Sequence, residues 1–177
     1  VPKELLKHIK HLAGTETEAE ANLRGLFTRL NRDEASPLHG KLNVAETTTG
    51  KLSRTTFDSA VGRAMKSDLL SKQTAEKQYE LILKFLRAFH EEIADKSLLI
   101  KRHFISAIFD LFDEIVKKAK KELGGVTIDS LQIVISPICN LPDDHMPKTQ
   151  KRESLVDVMR NMLNSDTSIE DDDISNN

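Results

Sequence analysis

The sequence is poor in residues that mark several protein classes. It has a single cysteine, Cys139, so it forms no intramolecular disulfide and needs no oxidising compartment. Only 5 prolines and 7 glycines exclude collagen-like and low-complexity chains. No apolar run approaches the roughly 18 residues of a membrane span. We therefore expect a cytoplasmic protein without direct membrane insertion. Recruitment to a membrane or to the cell cortex by other domains stays open.

The residues that are present indicate one helical domain and an acidic tail. The 177 residues are 38% hydrophobic and 31% charged, which is typical of a folded domain. The whole chain carries a net charge of −2 and residues 165–177 carry −5, so the remainder carries +3. This balance is too weak to indicate a nucleic-acid partner. We predict a domain at residues 1–164 and a disordered acidic tail at 165–177.

Apolar residues recur at helical spacing along most of the chain, which predicts an all-α bundle. The expected helices are marked by the stripes Leu5–Leu12, Thr17–Leu30, Phe57–Leu69, Tyr79–Phe89, Phe104–Ala119, Thr127–Ile135 and Leu155–Leu163. Thr17 and Thr127 are predicted caps, Gly124 follows the end of the central helix, and Pro137 should stop its helix. Residues 33–54 lack the pattern and are expected to form a mobile loop. A strand at Leu131–Ile138 is the main local alternative.

Motifs of generic catalysis are missing from the sequence. It contains no Walker A loop, dinucleotide glycine motif, zinc-spaced cysteine set or nucleophile elbow, so no cofactor is expected. His8 and His11 share a helical face with Glu4, but no third ligand stands out, so no metal site is predicted. The lysines within Lys117–Lys121 are expected to be helix-terminal charges, with an acidic-partner patch as an alternative. Cys139 is expected to be structural.

Several short motifs follow one another in an order that resembles a known family. Val1–Leu6 has a proline before the first helix, and Gly25–Phe27 is a glycine–aliphatic–aromatic triplet. Val126–Pro137 follows a long helix and precedes another helix at Glu153–Asn164. In this order they resemble the Rho GTPase-activating (RhoGAP) domain, over about residues 1–164. The resemblance implies a single-domain, all-α bundle of RhoGAP type.

The resemblance also implies where an active site would lie. In that family an arginine directly after the triplet completes the site of a GTPase and raises its hydrolysis rate by about 10³ to 10⁵. Here that position is Thr28, whose neutral hydroxyl supplies no positive charge. Arg29 lies one residue later, and on a helix one residue turns the side chain by about 100°. We therefore predict no catalytic residue, with Arg29 as the fallback.

Positions that support the arginine in the family are also changed. The family's lysine falls at Ser59, its following arginine is matched by Arg63, and its two asparagines fall at Gly124 and Ser130. In the family, the helix that carries this lysine and arginine ends in glutamate, proline and leucine. Here Lys66-Ser67-Asp68 occupy that place. Several losses together argue that the chemistry of the family is not retained.

These features predict a protein-interaction module that acts as a scaffold or adapter and is not an enzyme. Its expected partner is a protein, such as a Rho-family small GTPase, contacted by Arg29, Arg32, Arg63 and Lys66. One alternative is an active GTPase-activating protein that uses Arg29. Another is a helical interaction or dimerisation module unrelated to GTPases, in which homo-oligomers form.

Overall fold

The computed structural model describes residues 3–43, 50–140 and 155–165, and within these ranges it describes side chains from residue 18 onwards. These segments are mostly helical, which confirms the all-α prediction. The elements in chain order are α1 (Lys3–Arg32), β1 (Leu42–Asn43), β2 (Leu52–Ser53), α2 (Arg54–Met65), α3 (Asp68–Ser71), α4 (Ala75–Glu92), a 3-10 helix (Lys96–Ile100), α5 (Arg102–Asp110), α6 (Phe112–Leu123), α7 (Ile128–Cys139) and α8 (155–165).

The first helix is continuous, so the prediction of two separate helices was wrong. Helix α1 runs for 30 residues from Lys3 to Arg32, and Thr17 lies inside it instead of capping a second helix. Gly25 does not interrupt it, because its φ is not in the positive region and a helical glycine costs only about 1 kcal/mol relative to alanine. The inward stripe of apolar residues is uninterrupted across this glycine and favours one helix.

The connection between α1 and α2 contains packed structure that the apolar pattern did not indicate. Leu38, Leu42 and Leu52 are buried, and β1 pairs in parallel with β2 through Leu42 opposite Leu52. Gly40 adopts a positive φ of 68° and donates its N–H to the Asn31 carbonyl at 3.0 Å. Residues 44–49, the middle of the predicted loop, lie outside the described residues.

Helices α1 and α2 run antiparallel with their aromatic residues in contact. Phe27 and Phe57 meet edge to face with ring centroids 5.3 Å apart. A Cβ on Gly62 would lie 3.6 Å from Leu23 Cδ2, so the Leu23 side chain packs against α2 at this glycine. The predicted single helix over Phe57–Leu69 was wrong, because α2 ends at Met65 and α3 begins after the extended residue Ser67.

The central apolar stripe also divides into two helices. Helix α5 ends at Asp110 and α6 begins at Phe112, with Leu111 at φ −94° and ψ 2° between them, so the single helix predicted over Phe104–Ala119 was wrong. Its apolar residues are nevertheless buried. Phe85 of α4 lies at the centre, 5.0 Å from Phe89 and 4.8 Å from Phe112 between ring centroids. Helix α5 packs chiefly on α2 and α6 chiefly on α7, while Phe109 and Phe112, on either side of the break, both contact Phe85.

The caps around α7 agree with the sequence prediction. Gly124 has a left-handed φ of 76°, and Thr127 forms a capping box with Ser130. Leu131–Ile138 is therefore helical, and the alternative of a strand was wrong. The helix includes Pro137 and ends two residues later at Cys139, near the proline as predicted. Ile133, whose carbonyl the proline cannot bond, lies on the solvent side and is 62% exposed, so the lost bond is tolerated there.

The last described helix docks on α6 through its apolar face. Leu155, Val156, Met159 and Leu163 are buried. Lys118 of α6 donates from Nζ to the Leu163 carbonyl at 2.7 Å and so caps the end of α8. The predicted acidic tail lies beyond residue 165, outside the described residues.

Candidate functional site

The second half of α1 has one buried face and one open face. Leu26, Phe27 and Leu30 point into the core. The opposite face lines an open depression of about 640 Å³, formed by Ala21, Arg24, Gly25, Thr28, Arg29, Arg32 and Asp33. The structure therefore brings three of the sequence-predicted residues, Thr28, Arg29 and Arg32, to one surface.

Short side chains form the floor of this depression, and arginines surround it. Ala21, Gly25 and Thr28 are three or four residues apart and so share one stripe of the helix. At 100° per residue, Arg24 and Arg29 project to opposite flanks of that stripe. A Cβ built on Gly25 would meet no atom within 4 Å, so the floor is open to solvent.

The Arg29 guanidinium is held by helix α4. Its Nη1 and Nη2 donate to Glu76 Oε2 and Oε1 at 2.7 and 2.9 Å, which is a bidentate ion pair. The guanidinium carbon also lies 3.7 Å from the centroid of the Tyr79 ring, in cation–π contact. The hydrogen bond from Arg29 lowers the pKa of Glu76, which keeps that carboxylate charged.

Tyr79 joins the same cluster through its hydroxyl group. That hydroxyl donates to Asp33 Oδ2, and the bond lowers the pKa of Asp33. Burial and this hydrogen bond raise the pKa of Tyr79 to about 12. Asp33 in turn donates its backbone N–H to the Arg29 carbonyl at 2.8 Å. We call Arg29, Asp33, Glu76 and Tyr79 the α1–α4 polar cluster; it ties the end of α1 to α4.

The open face of α1 carries a neutral group at the position where the resemblance places a positive charge. Thr28 is exposed and presents a neutral hydroxyl at the position where the resemblance expects an arginine. Arg29 projects about 100° away from it. To reach a partner, Arg29 would have to give up both Glu76 bonds and its position on the Tyr79 ring.

The other two predicted contacts lie elsewhere. Arg63 is in the last turn of α2, and its Nε donates to Asp110 Oδ1 at 3.0 Å. This bond joins α2 to the end of α5, so the arginine is directed to a different neighbour from that of Arg29. Lys66 is the exposed residue that follows α2. The structure thus groups Arg29 with Arg32 and separates both from the Arg63–Asp110 pair.

Sequence reasoning missed Arg24, Glu76 and Tyr79 as site residues. The sequence does contain a signal for Arg24. Like Arg32, eight residues later, it lies on the side of the helix away from Leu26 and Leu30. The pairing of Glu76 with Arg29 had no such signal, because the two are 47 positions apart in the chain. Tyr79 was expected to be a core residue, and it is buried, but its hydroxyl and ring face also serve the cluster.

The remaining candidates from the sequence are Cys139, the lysines within Lys117–Lys121 and the face shared by Glu4, His8 and His11. Burial raises the pKa of Cys139 to about 12, which favours the protonated thiol at neutral pH, although the residue is only partly buried. Within Lys117–Lys121, Lys118 serves α8. The side chains of Glu4, His8 and His11 lie outside the described residues. Among the residues that are described, no cluster suited to a metal ion is found.

Within the described part of the chain, no helix has the length and apolar character needed to cross a membrane. Comparisons of this chain with protein families, with curated proteins and with solved structures find no match.

Proposed function

We propose that the chain is a non-catalytic, RhoGAP-like protein-interaction module that acts as a scaffold or adapter. Its binding surface is the open face of α1, and its partner is a protein with an acidic surface, for which a Rho-family small GTPase is the first choice. Binding of this kind localises or sequesters the partner without stimulating GTP hydrolysis.

One observation supports the proposal that the module is non-catalytic. The guanidinium nearest the expected position, Arg29, is engaged by Glu76 on one side and by Tyr79 on the other. A catalytic arginine must reach between the β and γ phosphates of the bound nucleotide, where it neutralises developing charge. Thr28 supplies no charge there. A guanidinium already paired within its own chain stabilises that chain instead of the transition state of a neighbour.

The positive charge of the same surface supports the choice of partner. Arg24, Arg29 and Arg32 line the depression, and the carboxylates beside them, Asp33 and Glu76, are engaged by Tyr79 and Arg29. Arg24 and Arg32 are exposed and form no ion pair with another described residue. Exposed charges at a binding surface mainly raise the association rate and select the partner by sign.

The test combines capture and turnover. A panel of Rho-type GTPases is loaded with GDP or with a non-hydrolysable GTP analogue and passed over the immobilised chain, and single-turnover GTP hydrolysis is measured with the chain in solution. We expect capture of at least one GTPase, in a nucleotide-dependent manner, and an unchanged hydrolysis rate. Arg102→Ala, which changes an exposed arginine at the start of α5, is the matched control for Arg29→Ala.

Other outcomes would favour the two alternatives. An acceleration of hydrolysis that Arg29→Ala removes and Arg102→Ala does not would establish an active GTPase-activating protein. A stable homodimer, or a non-GTPase partner without nucleotide-dependent capture of any GTPase, would establish an interaction module unrelated to GTPases. Each outcome contradicts the proposal in a different respect.

A further inference from the structure

The shape and charge of the depression on α1 indicate which structural element of an acidic partner binds there. We infer that it receives an acidic α-helix of the protein partner, an inference that rests on the proposed function and names the element that is recognised.

Arg24 and Arg32, which form no ion pair with any residue that the structure describes, have a spacing suited to a partner helix. Arg24 and Arg32 are eight residues apart on α1, which is a rise of about 12 Å along the axis. Acidic residues at positions i and i+7 of a partner helix lie on one face, about 10.5 Å apart along its axis. The side chains of arginine and glutamate are long enough to close the remaining difference. Both guanidinium groups can then meet a carboxylate.

The floor between these arginines permits a close approach. Ala21, Gly25 and Thr28 have small side chains, and the space above Gly25 is empty to at least 4 Å from a built Cβ. Arg29 forms a fixed wall on one flank, because Glu76 and Tyr79 hold its guanidinium. A convex ridge of side chains fits between this wall and Arg24.

The backbone of α1 argues against an extended peptide. A strand binds by adding main-chain hydrogen bonds to a free sheet edge, whereas the N–H and C=O groups in the interior of an α-helix are already bonded to each other. The depression lies within α1, so its wall offers side-chain contacts only. Side-chain contacts on a helical surface are the way in which a second helix docks.

The first experiment measures binding of designed peptides to the whole chain. The probe is an alanine-rich helical peptide with glutamates at i, i+4, i+7 and i+11 on one face. Its control has the same composition with the glutamates distributed around the helix. Binding is followed by chemical-shift changes in two-dimensional NMR spectra of the isotope-labelled chain. We expect about fivefold tighter binding of the one-faced peptide, with shifts centred on Gly25 and Thr28.

The second experiment uses variants of the depression. We expect Arg24→Gln combined with Arg32→Gln to weaken binding of the one-faced peptide by about five- to tenfold, whereas Arg102→Gln leaves it unchanged. Gly25→Leu fills the open floor and should weaken binding at least as much. Gly25 has an ordinary helical φ and free space above it, so this variant keeps the fold, and circular dichroism checks that it does.

The outcomes separate this inference from the proposed function. Equal binding of both peptides, or binding that ignores Arg24 and Arg32, overturns the inference. Displacement of the peptide by inorganic phosphate at comparable concentration would indicate a simple anion site and would also overturn the inference. Self-association of the chain that the Arg24/Arg32 double variant abolishes would overturn it as well. If the arginine variants capture a GTPase as well as the unchanged chain does, the inference fails, whereas the choice of a GTPase as partner stands. If only the one-faced peptide binds, the inference stands and the GTPase assignment fails.

Discussion

Two corners of the molecule are fastened by similar ion pairs but differ in what surrounds them. At the α1–α4 corner Arg29 binds Glu76 at 2.7 and 2.9 Å, and at the α6–α8 corner Arg160 binds Glu114 at 2.9 and 3.0 Å. All four side chains are substantially exposed. Exposed pairs of this kind contribute little to stability by themselves. The surroundings of each pair therefore decide what the pair does.

The α6–α8 corner is a simple fastening. Arg160 clamps α8 to α6, Lys118 caps the end of α8, and buried residues such as Met159 supply the apolar contact. The α1–α4 corner adds the ring of Tyr79 beneath the guanidinium and a hydrogen bond to Asp33. These additions fix the direction of Arg29 at the rim of the depression. An arginine–glutamate pair thus shapes a binding surface at the α1–α4 corner, whereas the equivalent pair at the α6–α8 corner only joins two helices.

The largest expected effect is the loss of the ring that distinguishes the two corners. Tyr79→Ala removes a side chain that is only 3% exposed, and we expect the free energy of unfolding to fall by about 3 kcal/mol. Urea denaturation followed by circular dichroism measures the change. Tyr79→Phe, which keeps the ring and removes the hydroxyl, should cost clearly less. Equal losses for both variants would mean that the hydrogen bond to Asp33 dominates this corner.

The next effect concerns the ionisation of the same tyrosine. The chain has one tyrosine and no tryptophan, so its tyrosinate absorbance reports Tyr79 alone. We expect a titration midpoint near pH 12 in the folded protein, against the ordinary pKa of 10.0 in denaturant. Since folding raises this pKa, the stabilisation is complete below pH 10.0 and is lost as the pH rises through 12.

Asp33→Asn provides the control for this titration. The hydrogen bond to the Asp33 carboxylate contributes to the raised pKa of Tyr79, so the midpoint should move back towards 10.0 without reaching it, because burial remains. A wild-type midpoint at the ordinary value would contradict the geometry of the α1–α4 polar cluster.

A smaller effect is expected from replacing two glycines, Gly25 in the floor of the depression and Gly124 at the end of α6. Gly25→Ala should raise the free energy of unfolding by about 1 kcal/mol, because the site is helical and the added methyl group meets no neighbour. Gly124→Ala should lower it by about 1 kcal/mol, because Gly124 adopts a positive φ of 76°. Thermal unfolding of both variants measures the difference. A loss of stability in Gly25→Ala would contradict its helical position, and a gain in Gly124→Ala would contradict the positive φ of Gly124.

The smallest effect is expected from the two arginines themselves. Arg29→Gln and Arg160→Gln each remove one exposed ion pair, and each should lower the urea midpoint only slightly. Arg29→Gln should have the larger effect of the two, since it also loses the contact with Tyr79. Only Arg29→Gln should alter the chemical shifts of Gly25 and Thr28. Larger destabilisation by Arg160→Gln would reverse the order inferred from the two corners.

The sequence predicted much of the local structure because local signals determine it. Thr127 and Gly124 act as caps, and the stripe of Tyr79, Ile82, Leu86 and Phe89 forms the buried face of α4. These features depend on residues within one or two turns of each other.

The breaks between helices had no comparable signal. Leu111 separates α5 from α6, although no proline or glycine marks it and the apolar stripe continues through it. The break accompanies packing of α5 on α2 and of α6 on α7, which is a tertiary effect that overrides local propensity. The reverse holds at Thr17, where a sequence typical of a cap lies inside a continuous helix.

The candidate site was predicted in part. Thr28, Arg29 and Arg32 were identified from their position after Gly25–Phe27, and they share one surface. Sequence alone left open whether Arg29 is free to act, because its partners Glu76 and Tyr79 belong to a helix 47 or more positions away along the chain. Only the packing of α4 against the end of α1 determines this.

The position of the only tyrosine gives the chain a built-in optical probe. A cation over the ring and a carboxylate that accepts the phenolic proton both influence the emission of tyrosine, and here both contacts come from residues at the end of α1. A ligand that pulled the Arg29 guanidinium away from Glu76 would change the fluorescence intensity of Tyr79. A ligand that contacted only Arg24 and Arg32 would leave it unaltered. Unlabelled protein therefore suffices to follow engagement of this surface in real time.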